Sequence, residues 1–238
     1  MNELATYTFL PWLRQGIANQ ISGQIGSRAV IPIDINISGS KVDESGNQTA
    51  TVSKDVEIYG PGDITGIDKK AIVKVEPRNW ITNFEPNYLP YIEFYDEDFP
   101  WRYSPLENPT NHRLMPWLAL VILKENEFTG GNSVKDKPLG FITLTSDAKL
   151  HKADQAWAWS HVHINKDIIG TDFRSKDTSS IASALEVLLN KNPDMAYSRI
   201  VCPRKLEDKE AYHAFLVPIF ESGRLAGLGE NPTGVAAT

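Results

Sequence analysis

The chain has 238 residues, 41% of them hydrophobic and 23% charged, and carries a formal net charge of −6. A chain of this length buries roughly 70% of its unfolded surface and needs no staple to fold; the composition excludes a disordered or fibrous chain. The acidic balance excludes the broad basic face that nucleic acid demands, since the one basic cluster, Lys69, Lys70 and Lys74, has Asp68 beside it and reads as a solvated strand end.

From the N-terminus, Tyr7 to Gly16 reads as an extended entry followed by a short helix opened by Pro11 and finished by Gly23. Ile31, Ile33, Ile35 and Ile37 alternate with Pro32, Asp34, Asn36 and Ser38, the period of a strand. Gly39 to Gln48 reads as a flexible loop, and Thr49 to Tyr59 as the return strand of a long hairpin broken by Gly60-Pro-Gly62. Strands are expected at Ala71–Val75, stopped by Pro77, at Tyr91–Tyr95, and at Trp117–Leu123, which is apolar on both faces. Phe141–Leu144 reads as a short strand, Ser146–His161 as a helix capped by Ser146, and Val162–Asn165 as a return to the sheet. The clearest helix is Ser179–Leu189, with Ile181, Leu185, Leu188 and Leu189 on one stripe and Pro193 beyond it. Two late strands, Ser198–Cys202 and Ala214–Val217, precede a final turn at Phe220–Leu228.

Strands dominate and the helices come late. That order predicts an α+β, β-rich single domain over residues 1–230, with a mostly antiparallel or mixed sheet and a few short helices. Residues 231–238 read as a small-residue tail that is flexible or ordered by a partner. The single cysteine, Cys202, rules out an intramolecular disulfide, suits a reducing compartment, and reads as a buried inert thiol. The first residues lack a signal peptide's basic start and apolar run, and no apolar run approaches the ~20 residues that span a bilayer. The expectation is a protein made soluble in the cytoplasm, compatible with later release inside a particle, with no membrane and no nucleic acid among its partners.

Four places invite chemistry. Gly60, Gly62 and Gly66 have the wrong spacing for a phosphate loop, and Pro61 removes an anion-binding N–H, so a rigid turn is expected. His161 and His163 fall on one strand face, as metal pairs do, but a third ligand would have to come from His151, Asp154 or Asp167, and a packing or interface role beside Trp157 and Trp159 is the favoured reading. Glu93, Asp96, Glu97 and Asp98 form an acidic patch without the calcium-loop pattern, and read as a solvated or partner-facing rim. Neither a nucleophile elbow nor a zincin helix is present, and His213 near Cys202 in sequence says little about space. No catalytic residue, metal ligand or cofactor is assigned.

What recurs is aromatic–proline grammar, in Phe9-Leu-Pro-Trp12, Tyr88-Leu-Pro-Tyr91, Phe99-Pro-Trp101 and Met115-Pro-Trp117. Proline fixes φ and removes a sheet donor, so these segments suit edges and rigid loops. Phe9, Trp12, Arg14, Trp101 and Arg102 are the expected interface residues, since Trp and Arg dominate binding hot spots; lining the core is the competing role for each ring.

Several segments also carry a resemblance: Tyr7-Thr-Phe-Leu-Pro-Trp-Leu-Arg-Gln-Gly16, Tyr59-Gly-Pro-Gly-Asp-Ile-Thr-Gly-Ile-Asp68, Asn83-Phe-Glu-Pro-Asn-Tyr-Leu-Pro-Tyr-Ile-Glu-Phe94, Asp98-Phe-Pro-Trp101, Arg113-Leu-Met-Pro-Trp-Leu-Ala-Leu-Val121, Ala156-Trp-Ala-Trp159 and Gly223-Arg-Leu-Ala-Gly-Leu-Gly229. From about Tyr7 to Gly229 the chain resembles a bacterial family associated with gene clusters for contractile injection systems, the phage-tail-like particles. The resemblance implies a structural adaptor, at the cap end, joining inner tube or sheath to the terminator, in a cyclic homo-oligomer of three or six copies. It carries no catalytic residues. A tube-lumen plug or cargo protein of the same particle, and a metal-dependent hydrolase, are the alternatives.

Overall fold

The computed structural model describes residues 7–40, 47–105, 113–130, 137–146, 148–166 and 178–235. Twelve strands and two α-helices run in chain order as β1 (Thr8–Leu10), β2 (Gly23–Ile25), β3 (Arg28–Ser40), β4 (Asn47–Glu57), β5 (Ile72–Glu76), β6 (Tyr91–Phe94), β7 (Leu118–Lys124), β8 (Phe128–Gly130), β9 (Ile142–Leu144), β10 (Ser160–Ile164), α1 (Thr178–Lys191), β11 (Ala196–Val201), β12 (Tyr212–Pro218) and α2 (Glu221–Leu228), with short 3-10 turns between. Every strand pair among the described residues is antiparallel. The α+β, β-rich class read from the sequence is the class found.

A five-stranded sheet in the order β1-β10-β11-β6-β5 organises the body. Its register puts Leu10, Val162, Ile164, Ala196, Ile200, Ile92 and Phe94 on one face. That face is covered twice. At the β6 end the two-stranded ribbon β7–β12 closes a core of Ile92, Phe94, Phe99, Trp117, Leu120, Ile122 and Ile200. At the β10 end α1 brings Leu185, Leu188 and Leu189 against Leu10, Trp101, Val162 and Ile164. The continuous apolar run in β7 is buried on both faces, Leu118 to Leu123 all being core.

Two sequence expectations give way to other local structure. The helix after Pro11 is replaced by a 3-10 turn at Gly16–Gln20, entered through Gly16 at φ +58, a left-handed conformation that a glycine adopts without strain. The helix expected over Ser146–His161 is a 3-10 segment at Ala153–Trp159. Trp157 and Trp159 stand two residues apart, a spacing that shares no α-helical face.

The third sheet, β2-β3-β4, departs from the body. Its root is core, with Ala29, Val30 and Ile31 buried. Beyond the root the 13-residue β3 and 11-residue β4 continue as a two-stranded arm, exposed on both faces. The strands reach Ser40 and restart at Asn47, so both ends of the stretch expected as a loop, 39–40 and 47–48, are strand, and 41–46 lie outside the described residues.

Candidate interaction surfaces

The turn after Tyr59 shows what its glycines do. Pro61–Asp63 forms a 3-10 turn whose Gly60 N–H donates to the Asp63 carboxylate at 2.9 Å, and Arg28 pairs with that carboxylate. A Cβ on Gly60 would come within 2.5 Å of the Ser27 carbonyl oxygen. A Cβ on Gly223 in α2 would meet Pro218 at 2.8 Å and the Pro61 carbonyl oxygen at 3.3 Å. The two glycine-rich segments of the resemblance therefore clasp each other, and Pro232 packs on Gly62 beside them. The turn is rigid packing rather than a phosphate cradle. Of the expected tail, residues 231–235 are described and 236–238 lie outside the described residues.

The expected interface residues divide. Phe9 lies exposed on the outer face of the five-stranded sheet, edge-on to His163 with centroids 4.5 Å apart, and Trp12 is exposed at the margin. Trp101 is a correction: it is 0% exposed and belongs to the α1 core. The Phe99–Trp101 turn drives its ring inward, where it makes up core volume. Arg14 is a correction too. It is buried, donating to the Ser104 carbonyl at 2.7 Å and to the Pro105 carbonyl, and so ties the N-terminal segment to the Trp101 turn. Arg102 is half-buried between Asp96 at 2.8 Å and Asp98 at 2.6 Å, where its charge is already matched.

The candidate chemical groups are likewise committed. Glu93 is held by Arg199, which lies over the Tyr91 ring at 4.2 Å, and Lys74 donates to the Tyr91 hydroxyl at 2.8 Å. Asp98 is buried against Arg102 and Asp96 pairs with the same arginine while half in water, so three of the four carboxylates of the acidic patch are ion-paired rather than freely solvated. Burial holds Glu97 above the usual carboxylate range. His161 and His163 share the outer sheet face with centroids 6.0 Å apart, as their spacing requires. His163 is buried between Phe9 and Tyr197, and burial, with Arg199 and His161 nearby, pulls its pKa down to about 3. Among the described residues no three His, Cys, Asp or Glu side chains form a metal-binding group; Asp167, a proposed third ligand, lies outside them. Burial raises the Cys202 thiol, which sits in the wall of an open cavity of about 210 Å³ with His151, Lys149 and Arg204. Arg204 is engaged by Glu127, whose carboxyl it holds below the usual range.

The surface that sequence reasoning missed is the arm. Register places Ile33, Ile35 and Ile37 beside Lys54, Val52 and Ala50 on one face. Ile35, Ile37 and Val52 are 53%, 56% and 51% exposed. The opposite face satisfies itself across the strands, Thr51 donating to Asn36 at 2.7 Å and Ser53 to Asp34 at 2.6 Å. The signal was present, since the isoleucine alternation is what identified the strand. What the alternation could not say is that no part of the described chain covers that face.

Among the described residues no helix is long and apolar enough to cross a membrane. No known family, no curated protein and no solved structure matches the chain.

Proposed function

We propose that this chain is a non-catalytic structural adaptor of a larger protein assembly, a contractile phage-tail-like particle, acting at its cap end between inner tube or sheath and the terminator. The observation that carries the reading is the arm: a long two-stranded ribbon whose exposed face is a row of aliphatic side chains. A two-stranded hairpin is marginal on its own, and an exposed aliphatic stripe costs solubility unless a partner covers it. The polar groups weighed for catalysis point the same way, because Glu93, Asp96 and Asp98 are occupied by arginines. The motif resemblance supplies the class of assembly, and its glycine-rich segments have structural work in the body.

The test is a particle preparation from cells expressing Ile33→Ser, Ile35→Ser and Ile37→Ser together. The expected result is a folded chain lost from the particles, with wild-type chain visible at the cap end by cryo-EM. Normal incorporation of the variant, or particles of unchanged length and stability when the chain is deleted, overturns the reading. Density for the chain inside the tube selects the plug or cargo alternative instead.

A further inference from the structure

We propose that the seam between β7 and β11 binds a small linear carboxylate that carries a neutral carbonyl at its far end. The site is separate from the arm, and its occupancy does not depend on where in a particle the chain sits.

The seam has two ends. Its outer part is the open cavity of about 210 Å³, with Val121, Ile122 and Leu150 as apolar wall and Lys149 and Arg204 as its cations. The Arg204 guanidinium is matched by Glu127. Lys149 is exposed, and among the described residues no carboxylate pairs with it. The mouth therefore offers one uncommitted cation beside an apolar wall. Past His151, which borders both parts, the seam runs inward between Leu118–Leu120 and Ile200 and narrows to a gap too small for a water molecule.

Two donors line this inner gap without an acceptor. Ser160 is 1% exposed, and alternation puts its side chain on the covered sheet face with Val162 and Ile164. Neither its hydroxyl nor the buried indole N–H of Trp159 has a hydrogen-bond partner. Buried polar groups are hydrogen-bonded as a rule. An indole N–H can only donate, so what the pair lacks is an acceptor, and one carbonyl oxygen with two lone pairs serves both. Burial lowers the pKa of His151, so no cation stands at the inner end and a second carboxylate would be desolvated there without a counter-charge. The inner group is therefore neutral.

The dimensions select a short chain. Ser160 pairs with Ile200, four residues before Arg204, so the ends lie up to about 13 Å apart. The cavity is smaller than the roughly 300–1,000 Å³ that holds a drug-sized ligand. The roof is the part that yields. Ala153–Trp159 is a 3-10 segment of 7 residues, longer than such helices usually run, and 153–155 are exposed. Lifting its Trp159 end admits the carbonyl oxygen.

The probes are adipic acid monoamide, which has both ends, and hexanoate, which has the same carbon count and the carboxylate but no inner acceptor. In calorimetry with the full chain the monoamide is expected to bind about 10-fold tighter, the difference that one hydrogen bond makes. Ser160→Ala combined with Trp159→Phe should lower the monoamide to the affinity of hexanoate and leave hexanoate unchanged. Lys149→Met should weaken both probes alike. Ser160→Ala alone removes a hydroxyl that has no partner, so its melting temperature should not fall below that of wild type. Equal affinity of wild type for the two probes, no binding of either, or a preference that survives the double variant overturns the site. So does a Ser160→Ala chain that melts lower than wild type, because its hydroxyl then already has an acceptor.

Discussion

The body and the arm use the same strand-forming residues toward opposite ends. In β10 and β11 alternation puts Val162, Ile164, Ala196 and Ile200 under α1 and the β7–β12 ribbon. In β3 the same alternation puts Ile33, Ile35 and Ile37 in water. A period of two says that one face of a strand is built for apolar contact. It does not say whether the contact comes from the same chain. The comparison can be broken by substitutions that should unfold the body and leave the arm, and sharpened by those that do the reverse.

The largest effect is expected at Trp101. It is fully buried between Leu10, Val162 and α1, so Trp101→Ala removes about 3–5 kcal/mol of stability in denaturant unfolding, as large-to-small core substitutions do. A variant of unchanged stability with impaired assembly would instead return Trp101 to the surface role expected from its sequence.

Next is the Arg204–Glu127 pair, which is nearly buried and also serves the Ile122 carbonyl and the Lys124 N–H. Arg204→Met strands a buried carboxylate and should cost about 3 kcal/mol or more at neutral pH. The sign with pH follows from the carboxyl being held low. Its contribution is complete above the unfolded carboxyl's value and is lost as pH falls through the folded one. Unfolding of wild type and Arg204→Met should therefore converge in acid, below about pH 4.

An effect confined in pH belongs to His163. Folded, it stays neutral down to about pH 3, whereas an unfolded histidine takes up a proton near 6.5. Between these values the unfolded chain binds more protons, so the His163 contribution is present above pH 6.5 and declines as pH falls toward 3. His163→Phe keeps a ring between Phe9 and Tyr197 and removes the titration. Its stability profile should be flatter than wild type across that window; an unchanged slope would place the acid sensitivity elsewhere.

Much of the body was legible because periodicity and burial agree there. The Ile181, Leu185, Leu188 and Leu189 stripe lies in α1, and the apolar run at Leu118 is the doubly buried β7. The segments that resisted reading are held by contacts distant in sequence. Arg14 looked like a surface anchor because its partners, the Ser104 and Pro105 carbonyls, lie some 90 residues away. β1 is only three residues long and is a strand because Thr8, Phe9 and Leu10 pair with β10. The candidate surface was half legible: Phe9 and Trp12 are exposed as expected, yet the isoleucines of β3 were read for fold alone and not for docking.

The smallest expected effect on folding is on the arm, and it is the most informative. Ile35→Lys exchanges a side chain that is 53% exposed, so it should alter stability by no more than about 0.5 kcal/mol, the ordinary range for surface positions. Ile31→Lys, four residues back in the same strand, replaces a side chain that is 1% exposed and should destabilise the root by several kcal/mol, because it buries an unpaired charge. The two substitutions are chemically identical and fall on the same face of β3. If both unfold the chain, the arm is packed on the body and has no free face to offer. If only Ile31→Lys unfolds it while Ile35→Lys loses partner contact alone, the boundary between what this chain buries for itself and what it leaves for a partner lies within four residues of one strand.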